Sequence, residues 1–123
     1  PANYPETVAI GSIDENMNRS SFSNTGENLD FMAPGNRIFS TIPDNWYAVL
    51  SGTSMAAPFA AGVAALLLSC AKKKGEAEKL KTSEAYIEEL KKHTIEISDA
   101  NLGDKKFYQG FGIIDPKKLM ESF

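Results

Sequence analysis

Ser54 stands between a small-residue break, Ser51-Gly52-Thr53, and a long run of alanine, leucine and methionine. A serine there opens a helix. Its hydroxyl lies beside N–H groups that lack intrahelical acceptors and beside the positive end of the helix dipole. That setting stabilises an oxyanion forming next to the hydroxyl, which is the chemistry of acyl transfer. Pro58, four residues on, has no amide hydrogen to give the Ser54 carbonyl, so it loosens the first turn around a nucleophile. The same features also describe a helix-capping serine with no chemistry.

Other reactive side chains are sparse. A single histidine, His93, excludes any intrinsic site that needs two imidazoles. It sits beside Lys91 and Lys92, whose charge opposes its protonation, and it reads as a helix-surface residue at the edge of an apolar face rather than a general base. Cys70 is alone, so it makes no internal disulfide and no thiolate zinc cluster; inside an apolar helix it reads as a small filler. Glu84, Glu88 and Glu89 read as a solvated helix face, with Glu88 placed to pair with Lys92. Trp46 and Tyr47 suit substrate contact and strand packing equally.

Short β-type runs lead up to Ser54. Strands are expected over 7–12, 29–33, 37–41 and 46–50, with Pro34-Gly35 and Pro43-Asp44-Asn45 as stops. The helix from 54 to about 72 is apolar on nearly every face and is expected to be deeply buried, its alanines allowing close packing on a sheet. It ends in Lys72-Lys73-Lys74-Gly75, cations and a cap at the negative end of the dipole. A second helix is expected over 83–94 with Tyr86, Ile87 and Leu90 on one face, then a strand over 110–114. Asp115-Pro116 is an N-cap and N1 proline opening a last short helix.

The chain has 123 residues, net charge −3 and 42% hydrophobic residues, ordinary for one globular domain or part of one. Residues 1–70 hold six acids, two arginines and no lysine; residues 71–123 hold ten acids and eleven lysines. Such a balance offers no basic field for nucleic acid or an anionic membrane. The longest apolar stretch, 55–71, is broken by Pro58, Gly62 and Ser69 and is expected not to span a bilayer. The first residues carry no signal-peptide pattern and no starting Met, so the chain is expected to begin inside a longer protein. Secreted and cytoplasmic locations both stay open, Cys70 leaning slightly to the latter.

Ser51-Gly52-Thr53-Ser54-Met55-Ala56-Ala57-Pro58 resembles the nucleophile motif of subtilisin-like serine proteases, Gly-Thr-Ser-Met-Ala-x-Pro. Tyr4-Pro5, Val8 to Ser12, Phe22-Ser23-Asn24, Met32 to Gly35, Ser40 to Pro43 and Gly110 to Asp115 are similar, in order, to that family's other segments. The resemblance implies the C-terminal portion of an α/β subtilisin-like fold, with a mostly parallel sheet and a buried nucleophile helix. Residues 1–53 would be strands and loops, 54–74 the nucleophile helix, and 75–123 the C-terminal helices and closing strand.

It also implies a serine endopeptidase acting on peptide or protein substrates. Ser54 would be the nucleophile, Thr53 and the Ser54 amide the oxyanion donors, and Gly52 part of the same cleft. Met55 would pack behind the nucleophile, with Leu50 and Ser51 on the leaving-group side. No cofactor is required. A weak calcium site in the intact enzyme would use the carbonyls of Ala2, Tyr4 and Thr7. In this family the catalytic Asp and His and the oxyanion Asn precede the Ser by a long stretch, and no His precedes Ser54 here. The residue after the motif proline is usually His and here is Phe59. The chain alone is therefore expected to be inactive, and to pair with the N-terminal part of the protease or to self-associate through an exposed sheet edge. The alternative is a non-catalytic binding or scaffold module.

Overall fold

The computed structural model describes residues 1–99 and 103–122. Six strands run β1 Ile10–Ile13, β2 Phe31–Pro34, β3 Ile38–Ile42, β4 Trp46–Leu50, β5 Thr94–Ile95 and β6 Ile113–Ile114. Four helices run α1 Thr53–Lys73, α2 Ser83–Leu90, α3 Lys105–Gln109 and α4 Pro116–Glu121. The main sheet has the order β1-β2-β6-β5, parallel except for β5. An α/β architecture with a mostly parallel sheet is thus present. β3 and β4 stand apart from it as an antiparallel hairpin.

Strand periodicity builds a core on both faces of the sheet. Phe31 and Ile114 join Ala60, Val63 and Leu67 of α1 with Leu90 and Leu119 on one face. Met32 and Ile113, their neighbours in sequence, join Ile13, Leu29 and Ile97 on the other. Phe111 edges the first cluster: its ring meets Phe31 at 5.7 Å and carries Lys91 and Lys106 ammonium groups 4.1 Å and 4.6 Å from its centroid. Phe111→Leu is expected to lower unfolding stability by about 1–2 kcal/mol, because the leucine keeps the apolar bulk and loses both ring-specific terms. Denaturant unfolding of the intact polypeptide measures it.

Several expectations need correction. α1 is not deeply buried: its stripe Ala56, Ala60, Val63, Leu67 and Ala71 packs on β1 and β2, while Ala57, Ala61, Ala65 and Leu66 are exposed. One sheet covers one stripe of a helix, and nothing among the described residues covers the rest. Cys70 flanks the stripe and is half-buried rather than buried. At 21 residues α1 is also long and apolar enough to cross a membrane, against the expectation from 55–71. Its proline and glycine lie within the helix without breaking it, and its buried stripe packs on the sheet.

The second helix stops at Leu90, earlier than expected. Lys91–His93 tighten into a 3₁₀ turn so that Thr94 and Ile95 can pair with Ile114 and Ile113. Tertiary strand pairing there outweighs local helix propensity. The polar segment 14–28 is tied down by a buried serine cluster. Ser23 Oγ accepts the Ser12 amide at 2.9 Å, and the Ser12 and Ser20 hydroxyls bond at 2.8 Å.

Candidate active site

The hairpin carries the chain to Ser54. Its three-residue turn, Pro43 to Asn45, places Asp44 and Asn45 at φ 68° and 61°, in the left-handed region that these residue types tolerate best after glycine. β4 then passes through Ser51 and Gly52 straight into α1. Gly52 is extended and offers the helix no side-chain cap. The Thr53 and Ser54 amides, first-turn groups without intrahelical acceptors, are left pointing out of the helix end. Ser54 is exposed, Thr53 and Met55 half-buried. Among the described residues, the Thr53 and Ser54 hydroxyls make no hydrogen bond. The Met55 sulfur lies 3.5 Å from where a Cβ on residue 52 would sit, so it backs the turn.

The loop after β2 anchors this turn. The Gly52 amide donates to the Gly35 carbonyl at 2.7 Å. A Cβ on Gly35 would fall 2.6 Å from the Gly52 carbonyl and 3.0 Å from the Ala56 side chain. Ser51 Oγ donates to Asn36 Oδ1 at 2.9 Å and accepts the Arg37 amide at 2.8 Å. Ser51, placed by sequence in the cleft, is thus also the bolt between hairpin and loop. Gly35, Asn36 and the Ser12–Ser20–Ser23 cluster were missed as site-supporting residues. Pro34-Gly35 reads locally as a strand stop, and the partners that give Gly35 its role are 17 residues away in sequence (Gly52 − Gly35).

His93 stays outside this group. It is 6% exposed, a correction to the surface position expected, and lies against the far half of α1 with Leu67 and Ala71. Thirteen residues of helix separate Leu67 from Ser54, about 20 Å along the axis. Its Nε2 faces a Glu89 carboxylate oxygen at 3.5 Å. The expected Glu88–Lys92 pair is replaced by two pairs one residue closer, Glu88–Lys91 at 2.5 Å and Glu89–Lys92 at 2.6 Å. The Lys92 hydrogen bond holds the Glu89 carboxyl below its ordinary value of 4.5, against a smaller opposing effect of burial. A carboxyl lowered on folding adds stability that is present above that value and lost as pH falls through the folded one. Glu89→Gln is expected to flatten acid unfolding below pH 4.5, by under about 1 kcal/mol for so shallow a site. Urea titrations at pH 3 to 6 test this.

Ala2, Tyr4 and Thr7 lie in the turn over 1–7, ahead of β1. The Tyr4 carbonyl already accepts both the Thr7 amide at 3.1 Å and the Thr7 hydroxyl at 2.8 Å. Among the described residues there is no cluster of three or more His, Cys, Asp or Glu side chains able to hold a metal. On the hairpin, Trp46 is 68% exposed and Leu50 47%, while Tyr47, 61% exposed, packs its ring on Phe39 of β3. Phe59 is 37% exposed on the side of α1 away from Ser54.

The model of the subtilase family matches residues 1–113. The chain belongs to the subtilase family. It is 42% identical to subtilisin DY of Bacillus licheniformis over 115 residues, covering 94% of this chain and 37% of that protein. It is 55% identical to thermitase of Thermoactinomyces vulgaris over 69 residues, covering 56% of this chain and 25% of that one. Among solved structures, the prenylagaramide maturation protease PagA superposes at a TM-score of 0.80 with 30% identity, covering 98% of this chain and 44% of PagA. The PatG macrocyclase in complex with peptide gives 0.80 and 30%, covering 98% and 37%. This subtilase chain therefore spans a quarter to under half of the length of these relatives.

Proposed function

We propose that the intact polypeptide carrying this chain is a serine endopeptidase that cleaves peptide bonds through an acyl-enzyme at Ser54. The observation that supports it most is an exposed, unengaged hydroxyl on the first turn of α1, next to amides with no helical acceptor. Ser54 Oγ attacks the scissile carbonyl carbon, and its proton passes to a base outside these 123 residues. The oxyanion that forms takes hydrogen bonds from the Ser54 amide and the Thr53 hydroxyl. Collapse expels the leaving amine, which takes the proton, and water then cleaves the ester. Leu50 and Ser51 flank the leaving group, and Met55 and Gly52 shape the turn. These steps use no cofactor.

The remainder of the protease is the natural cover for the exposed stripe of α1. That stripe lines an apolar groove of about 470 Å³ with Val8, Ile10, Tyr86 and Leu90, at the edge of the sheet formed by β1. Without that cover, self-association through this edge is the expected outcome.

Fluorophosphonate labelling with mass mapping tests the reading. The intact polypeptide is expected to be labelled at Ser54, and residues 1–123 alone are not, because a serine without a base is a poor nucleophile. A binding or scaffold module predicts no label on either.

A further inference from the structure

The β3–β4 register sorts the hairpin into two faces. Ile38 pairs with Leu50, Ser40 with Ala48 and Ile42 with Trp46, so these six residues share one face. Phe39 and Tyr47 lie on the other, where their rings stack at 5.3 Å and 9°. The first face holds an apolar ladder, Leu50 to Trp46 with Ile42 alongside, that begins at the active-site turn and leads away from it. Trp46 is 68% exposed and makes no ring contact among the described residues.

We infer that this face is a distal subsite for the leaving-group side of the substrate, with Trp46 and Ile42 receiving an apolar side chain several residues beyond the scissile bond. The inference rests on the proposed acyl transfer at Ser54 and on Leu50 flanking the leaving group. Continuity carries it: β4 runs without interruption from Trp46 through Leu50 to Ser51 and Gly52. Four strand residues span about 13 Å, the reach of four residues of extended substrate. Chemistry sets the preference. The face bears no charged side chain, and Arg37, the residue before β3, is turned to Glu15 at 3.7 Å. A carboxylate or ammonium on the substrate would lose water there and gain no partner. The hairpin itself does not need the indole, since its turn and five register pairs hold it.

The test uses the intact polypeptide and peptides identical before the scissile bond. One ends two residues after that bond; the others continue to six, with leucine and phenylalanine or with aspartate at the distal positions. Trp46→Ala is expected to lower kcat/KM on the long apolar peptide roughly tenfold, the worth of one apolar pocket contact. The short peptide, the long acidic peptide and fluorophosphonate labelling of Ser54 stay unchanged, and Trp46→Phe restores most of the loss. Equal losses on short and long peptides, or no loss on any, overturn the subsite while leaving acyl transfer intact. So does a change of oligomeric state in Trp46→Ala with unchanged kinetics, which would make the face a contact between copies. Failure of the unmutated polypeptide to cut either peptide or to take the label defeats acyl transfer and this subsite with it.

Discussion

Ser54→Ala in the intact polypeptide is expected to bring both peptide hydrolysis and fluorophosphonate labelling to background, with the fold unchanged. The side chain is exposed and makes no hydrogen bond among the described residues, so alanine removes no packing and leaves no buried polar group unpaired. Alanine is also the better helix former. Everything lost is then chemical: no acyl-enzyme forms without the hydroxyl. Thr53→Val separates the two roles proposed for the turn. It keeps the nucleophile and removes one donor that acts as charge develops, so kcat should fall by about 10–100-fold, the worth of a hydrogen bond to a charged group, with KM little changed. Steady-state kinetics on one peptide, with circular dichroism as the folding control, read both variants. Residual labelling of Ser54→Ala would place the nucleophile elsewhere.

Gly35→Ala carries the largest expected structural penalty. Its methyl would meet a backbone carbonyl, that of Gly52, at 2.6 Å, together with the buried Ala56. A flexible side chain could swing aside, but this carbonyl cannot, because it also accepts the Met55 amide at 3.0 Å that starts α1. The chain must instead move Gly52 and break the Gly52–Gly35 hydrogen bond of 2.7 Å. A loss of about 3 kcal/mol is expected, the upper range for overpacking. The strain falls on the turn that aims Ser54, so the labelling rate should drop even in molecules that remain folded. Thermal unfolding together with labelling kinetics checks this. Full stability with full labelling would mean that the turn is not pinned at Gly35.

Much of this is legible in the amino-acid sequence. Ser54 behind a small-residue break and ahead of an apolar helix, Pro58 within its first turn, and Asp115-Pro116 as a helix start are local chemistry. Local chemistry survives the absence of tertiary context because capping, proline's missing amide and strand alternation act within a few residues. The caps formed as expected: Asp115 accepts the Lys117 amide at 2.9 Å, and α4 begins at Pro116.

Other features depend on residues far apart in sequence. Which stripe of α1 is buried depends on where β1 and β2 lie, and a helix apolar all round carries no mark of the side that one sheet will choose. His93 became buried, and its helix ended early, because β6 arrives from twenty residues downstream to pair with Thr94 and Ile95 (114 − 94). Gly35 became the anchor of the nucleophile turn through Gly52, and the indole of Trp46 came to lie open on a hairpin face. Residue type and short spacing settled the chemistry available at Ser54. Long-range packing, in which a backbone carbonyl or a strand edge has one possible neighbour, settled how that chemistry is held.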